Sequence, residues 1–203
     1  PRMIEMDGWD AGLFAAIQER WPASQVCLRI PFASPPELLE YYAAGVRVFH
    51  LTADYHGRSP DGRFVFDLIR EAHKTFVEQG IRDEVTLLGS GGIVAAEHTP
   101  KAVIAGLDGV GLDSALMVAL QGRFDGEFTD RHSAACRLPR QLEQGWGVQR
   151  LMHLSAAWRD QLLEILGAMG LREVRRLRGE MGRAMCQVNL EREAFAGIEG
   201  YDD

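Results

Sequence analysis

The sequence holds few cysteines: Cys27, Cys136 and Cys186 are the three in 203 residues. They lie far apart, form no CxxC pair and are odd in number. A disulfide scaffold, a zinc site and an iron–sulfur framework are therefore not expected, and a reduced, cytoplasmic compartment is. No stretch approaches the roughly 18 apolar residues of a spanning helix. The N-terminal Pro1-Arg2-Met3-Ile4-Glu5-Met6-Asp7 is charged and short of apolar residues, unlike a secretory leader. Positive charge is also in deficit. Lys plus Arg number 22 against 29 Asp plus Glu, a net charge of -7. An acidic chain is a poor non-specific binder of nucleic acid or anionic membrane, so a small-molecule substrate is expected instead. Familiar phosphate motifs are missing. A GxGxxG fingerprint would need glycine where Val94 stands, and no Gly-Lys-Ser/Thr follows the glycines. No HxxEH-type spacing exists, and no metal is expected.

What is present is globular: 46% hydrophobic and 25% charged residues. Helical and strand patterns alternate through the first two-thirds. Trp9–Trp21 reads as a helix ended by Pro22. Val26–Ile30 reads as a strand. Ser34-Pro35-Pro36-Glu37 opens a second helix that stops at Gly45. Val46–Leu51, Glu84–Leu88 and Gly109–Leu112 read as three more strands. Arg63–Gln79 and Ala95–Ala105 read as helices between them, and Asp113 or Ser114 caps a helix over Ala115–Leu120. This is the rhythm of βα units around a parallel sheet. Four units make half of a (β/α)₈ barrel, and the length falls short of the about 250 residues of a complete one. The expected fold class is thus α/β, a TIM-like half-barrel over residues 1–123. A loop and a helical extension follow over 124–203. Phe124–Gly147 reads as loop, Val148–Met169 as a long amphipathic helix and Leu171–Met185 as an Arg-rich helix.

Gly89-Ser90-Gly91-Gly92-Ile93 follows the third strand, and Gly109-Val110-Gly111 lies on the fourth. Glycines let backbone amides approach a phosphate closely, and a following helix adds its N-terminal partial charge. The same glycines also suit plain strand-to-helix turns. Asp113 opposes an anion at the second loop, because a capping carboxylate competes for the same amides. His50, Thr52, Asp54, Tyr55, His56, Gly57 and Arg58 cluster at the end of the second strand, where barrel active sites sit. They suit acid–base work or an acidic substrate, while each residue taken alone reads rather as part of a polar loop held by Asp turns. Arg29 is a cation within an apolar strand and needs a partner. It either faces the barrel interior, towards an anionic ligand, or points outward to a helix carboxylate. His153 reads as a packed or surface residue. The Arg172, Arg175, Arg176, Arg178 and Arg183 stripe reads as a solvated or subunit-facing surface.

Residues 71–87 (Glu-Ala-His-Lys-Thr-Phe-Val-Glu-Gln-Gly-Ile-Arg-Asp-Glu-Val-Thr-Leu), with Gly89-Ser90-Gly91-Gly92-Ile93, resemble the FMN-binding synthase domain of the glutamate synthase family. So do residues 109–116 (Gly-Val-Gly-Leu-Asp-Ser-Ala-Leu) and 166–174 (Leu-Gly-Ala-Met-Gly-Leu-Arg-Glu-Val). The likeness runs in order from about Gln25 to Met185. It implies the C-terminal half of a (β/α)₈ barrel, FMN as cofactor and a flavin oxidoreductase of nitrogen metabolism that makes glutamate from 2-oxoglutarate and ammonia. It implies that Gly91 and Gly92, in the loop that also holds Gly89 and Ser90, contact the FMN phosphate together with Gly111 and Ser114 of the following strand and turn. It implies that Arg29 stands where the family has a strand lysine near the flavin. Thr52-Ala53-Asp54-Tyr55-His56-Gly57-Arg58 replaces the family's Ser-Gly-His-Asp-Gly-Gly-Thr-Gly segment. The three-cysteine cluster motif is absent, so no iron–sulfur cluster is expected. The first half of the barrel is expected in another chain or through self-association. The alternative is a catalytically degenerate barrel used as a ligand-binding or scaffold module.

Overall fold

The computed structural model describes residues 1–125 and 135–180. Five strands form one parallel sheet: β1 (Met3–Asp7), β2 (Gln25–Pro31), β3 (Val48–Thr52), β4 (Thr86–Ser90) and β5 (Gly109–Gly111). Their order in the sheet is the order in the chain. Every crossover therefore steps to the next neighbour, and the order never reverses as it does in a doubly wound sheet. Four helices make these crossovers: α1 (Ala11–Arg20), α2 (Pro35–Ala43), α3 (Val65–Glu78) and α4 (His98–Ala105). Right-handed crossovers that all step one way put their helices on one face.

The local sequence accounts for the helix ends. The Asp10 carboxylate accepts from the Leu13 amide at 2.8 Å and starts α1. Ser34 and Glu37 form a capping box at α2, with Pro35 and Pro36 in the first turn. Gly45 ends it with φ +105°.

Register separates the sheet into two faces. Met6, Leu28, Phe49 and Leu87 stand in one row across four strands. All four are buried and pack beneath the helices, with the Phe49 ring 5.5 Å from that of Phe76 on α3. The opposite face carries Glu5, Cys27, Val48 and Thr86 in one row. Asp7, Arg29, His50, Leu88 and Gly109 form the next, and Pro31, Thr52, Ser90 and Gly111 lie nearest the C-terminal ends. That face is polar where the other is a core.

Three expectations are corrected. The charged N-terminus is a strand, so the sheet has five strands, not four. Met6 is buried and Ile4 half-buried on one face, while Glu5 and Asp7 find cationic partners on the other. Phe124–Gly147 is not all loop. Arg123–Asp125 (β6) pairs antiparallel with Ala135–Arg137 (β7), and α6 begins at Gln144 and runs to Ala168. The Glu143 carboxylate caps α6 by accepting from the amides of Gly145 and Trp146. No Arg-rich α-helix follows among the described residues. Val174–Leu177 is a short 3₁₀ turn, and the part of that expectation beyond Glu180 lies outside the described residues. Tertiary contacts override the helical pattern there: Leu177 is fully buried, and Arg178 leaves the surface to pair with Asp83 and Asp108 at 2.6 Å each.

A second core joins this segment to the sheet domain. Val103 and Ile104 of α4 pack with Leu166 of α6 and with Leu177. Among the described residues no helix is long and apolar enough to cross a membrane.

Candidate functional site

The C-terminal ends of the strands gather the polar side chains of the helix-free face. His50 lies at the centre of β3. Its Nδ1 is 2.7 Å from Glu5 Oε2, and its Nε2 is 2.9 Å from Ser90 Oγ. A carboxylate, an imidazole and a hydroxyl from β1, β3 and β4 thus form one hydrogen-bonded chain. Arg29, on the strand between, donates to Asp7 at 3.0 Å and lies 3.9 Å from Glu5. Its partners are strand carboxylates on the face away from the helices, so the outward reading, with a helix carboxylate, is corrected. Gly111 faces the same chain. A Cβ there would stand 3.0 Å from Ser90 Cβ and 3.4 Å from His50 Nε2.

The glycine loop divides into two kinds of residue. Gly89 points into the core, where a Cβ would meet Leu107 at 2.5 Å, so its role is packing. Gly91 and Gly92 have φ of +102° and +71°. A Cβ on Gly91 would meet the Ala53 carbonyl oxygen at 2.4 Å, and one on Gly92 would meet Gly57 Cα at 2.5 Å. The loop after β4 is thus seated directly on the loop after β3, at a closeness only glycine allows. Among the described residues no acceptor meets the amides of Gly91, Gly92 and Ile93. The α4 helix begins at His98, later than Ala95. His98 Nδ1 instead lies 3.1 Å from the Gly92 carbonyl oxygen and 3.2 Å from the Val94 amide, pinning the loop.

After β5, Asp113 accepts from the Ser114 amide at the start of α5 (Ser114–Ala119). That is the capping role. The Ser114 hydroxyl is buried with no hydrogen-bond partner among the described residues. A buried hydroxyl without a partner costs about 1–3 kcal/mol. A phosphate oxygen would satisfy it, and the amides of the glycine loop would supply further donors. These residues fit an FMN phosphate, with the Asp113 carboxylate as the opposing charge.

The other candidates are placed in the loop after β3. The Asp54 carboxylate accepts from the amides of His56 and Arg58 at 2.9 and 2.7 Å. Arg58 Nη1 donates to the Gly62 carbonyl. Thr52 Oγ1 donates to the Ile30 carbonyl. His56 is exposed. Asp54 and Arg58 therefore shape the turn, and only His50 of this cluster joins the strand-end chain. Glu5 was not among the candidates. Its signal was present as the period-two alternation of Ile4-Glu5-Met6-Asp7.

Residues 62–127 match the family described as a conserved region in glutamate synthase. Over these residues the chain is similar to a glutamate synthase family domain. It is 32% identical over 115 residues to the archaeal glutamate synthase [NADPH] of Methanocaldococcus jannaschii, covering 52% of this chain and 22% of that one. The chain thus spans about a fifth of the length of such relatives. Its fold is shared with a flavocytochrome b2 with pyruvate bound: TM-score 0.60, 13% identity, 89% of this chain and 40% of the other. A mandelate oxidase with mandelic acid gives a TM-score of 0.58 at 17% identity, covering 84% of this chain and 42% of that one.

Proposed function

We propose that this chain supplies the C-terminal strands of a glutamate-synthase-like (β/α)₈ barrel that holds FMN and acts as an oxidoreductase on a small molecule. The observation that carries the reading is the buried, unpartnered Ser114 hydroxyl after β5, together with the open amides of Gly91–Ile93 after the neighbouring β4. Ser90 and Gly111 are register partners, so the two loops leave the sheet side by side. Sequential strand order and the family match support the barrel. The five strands would then be the last five, and the remainder comes from another segment, chain or copy.

FMN, when bound, supplies the hydride and electron transfer. The protein's part is to bind and orient it. The Gly91, Gly92 and Ile93 amides and the Ser114 hydroxyl would donate to the phosphate. Arg29 and His50 would face the ligand from the helix-free side of the sheet.

The test is flavin titration of the protein together with whatever completes its barrel, followed by quenching of FMN fluorescence. Saturable quenching is expected, with at least roughly tenfold weaker binding in Ser114→Ala, the loss of about one hydrogen bond to a charged group. Absence of binding overturns the reading. One observation favours a second reading, a degenerate barrel that binds another small ligand or serves as a scaffold. Asp113 already occupies the Ser114 amide with a negative charge. Failure of FMN to bind in the completed barrel, with retention of a non-phosphorylated ligand, selects that reading.

A further inference from the structure

We propose that Ser90, His50 and Glu5 form an acyl-transfer site, with Ser90 as nucleophile towards a small carboxylic ester. The proposal concerns the flavin-free protein, because a bound FMN phosphate would occupy the Gly91 and Gly92 amides that this site uses.

Three observations converge on it. The first is connectivity. Ser90 Oγ lies 2.9 Å from His50 Nε2, and His50 Nδ1 lies 2.7 Å from Glu5 Oε2. This is the arrangement in which an imidazole takes the serine proton while a carboxylate fixes its tautomer and steadies the imidazolium. The three residues come from separate strands, so the chain is a product of the fold and not of a local turn. Nor do the other polar groups dismantle it. Arg29 donates to Asp7 at 3.0 Å and stands 3.9 Å from Glu5, so it holds the carboxylate without taking the oxygen that His50 uses.

The second observation is the position of the oxyanion donors. The Gly91 amide follows the serine directly, and the Gly92 amide follows that. Neither meets an acceptor among the described residues. A backbone amide immediately after the nucleophile is a common half of an oxyanion hole. The positive φ of both glycines, forced by contact with Ala53 and Gly57, fixes that loop in one shape. The third is access. Ser90 is half-buried at a strand end, and Gly111 opposite it carries no side chain that would cover the hydroxyl.

The chemistry balances without a further reactant. Ser90 Oγ adds to the ester carbonyl as its proton passes to His50 Nε2. The carbonyl oxygen becomes an oxyanion facing the Gly91 and Gly92 amides. The C–O bond to the alcohol then breaks, and His50 returns the proton to the leaving alkoxide. Water, deprotonated by His50, releases the carboxylic acid and restores Ser90.

The protein as it exists is treated with a fluorophosphonate and mapped by peptide mass spectrometry. Stoichiometric labelling of Ser90 is expected, with exposed Ser155 as the unreactive comparison. Labelling disappears in Ser90→Ala, slows at least about 100-fold in His50→Gln, and slows by about tenfold or more in Glu5→Gln. Hydrolysis of p-nitrophenyl acetate is expected to show a burst that follows the same order. Ser90 labelled no faster than Ser155 in the wild-type protein overturns the proposal, and that result needs no variant to fold. Labelling that is indifferent to Glu5→Gln and His50→Gln, in variants with unchanged circular dichroism, overturns it as well.

Discussion

Gly111 lies against His50: a Cβ built on the glycine would stand 3.4 Å from His50 Nε2, on the side where His50 meets Ser90. The close approach of β5 to the strand-end chain depends on that missing side chain. Gly111→Val adds branches into this space. It is expected to cost about 1–3 kcal/mol by overpacking and to displace His50 from Ser90. Urea denaturation gives the first value. The imidazole nitrogen shifts in NMR report the second, and unchanged shifts would refute the placement.

Gly91→Ala tests the glycine loop. The new methyl would lie 2.4 Å from the Ala53 carbonyl oxygen, at a φ of +102°. Strain and clash together are expected to cost about 3 kcal/mol. Gly62→Ala is the control. It has a comparable positive φ but no atom within 4 Å of its added methyl, so it is expected to cost only about 1 kcal/mol. Equal losses in the two variants would show that contact between the loops contributes nothing.

At the opposite end of the strands, Arg82 is buried and donates to the Val85 and Gly106 carbonyls, to Asp108 and to His73 Nδ1. Arg82→Met leaves Asp108 facing only Arg178 and the Leu87 amide. A loss of about 3 kcal/mol is expected, because removing one member of a buried pair strands the other. Thermal unfolding measures it. A change below about 1 kcal/mol would mean that the hydrophobic core alone sets stability here.

His73 gives a pH dependence. Burial first, then the charges of Arg82 and Arg178, lower its pKa below the usual histidine value. The unfolded chain therefore binds a proton that the folded chain resists. Stability is full above about pH 6.5, the ordinary histidine value, and declines as pH falls below it. The urea midpoint is expected to drop between pH 7.5 and pH 5.5, and to drop less in His73→Gln. An identical drop in the variant would assign the effect elsewhere.

The Cys27 thiol is pushed up to about 11 by burial, with the Glu5 charge adding to it. The thiolate is the reactive form. Iodoacetamide at pH 8 is expected to leave Cys27 unmodified in the folded protein and to alkylate it in urea. Equal rates in both would contradict the closed sheet around it.

The parallel βα order, the capped start of α2, the glycine turn after β4 and the resemblance to glutamate synthase were legible in the sequence alone. Each of these rests on neighbours in the chain: Ser34 with Glu37, Gly91 with Gly92, apolar runs bounded by turn formers. The sequence also marked His50 and Ser90, but in two separate motifs. Only the tertiary structure joined them and brought Glu5 across from β1. Parallel register sets which residues share a row, and register is decided by side chains packing across strands that are distant in sequence. The same reason explains Arg178. Its helical spacing predicts a solvated stripe, yet two carboxylates held by other segments draw it to the sheet's end. Spacing along the chain fixed what each residue could be, and the sheet decided which residues met.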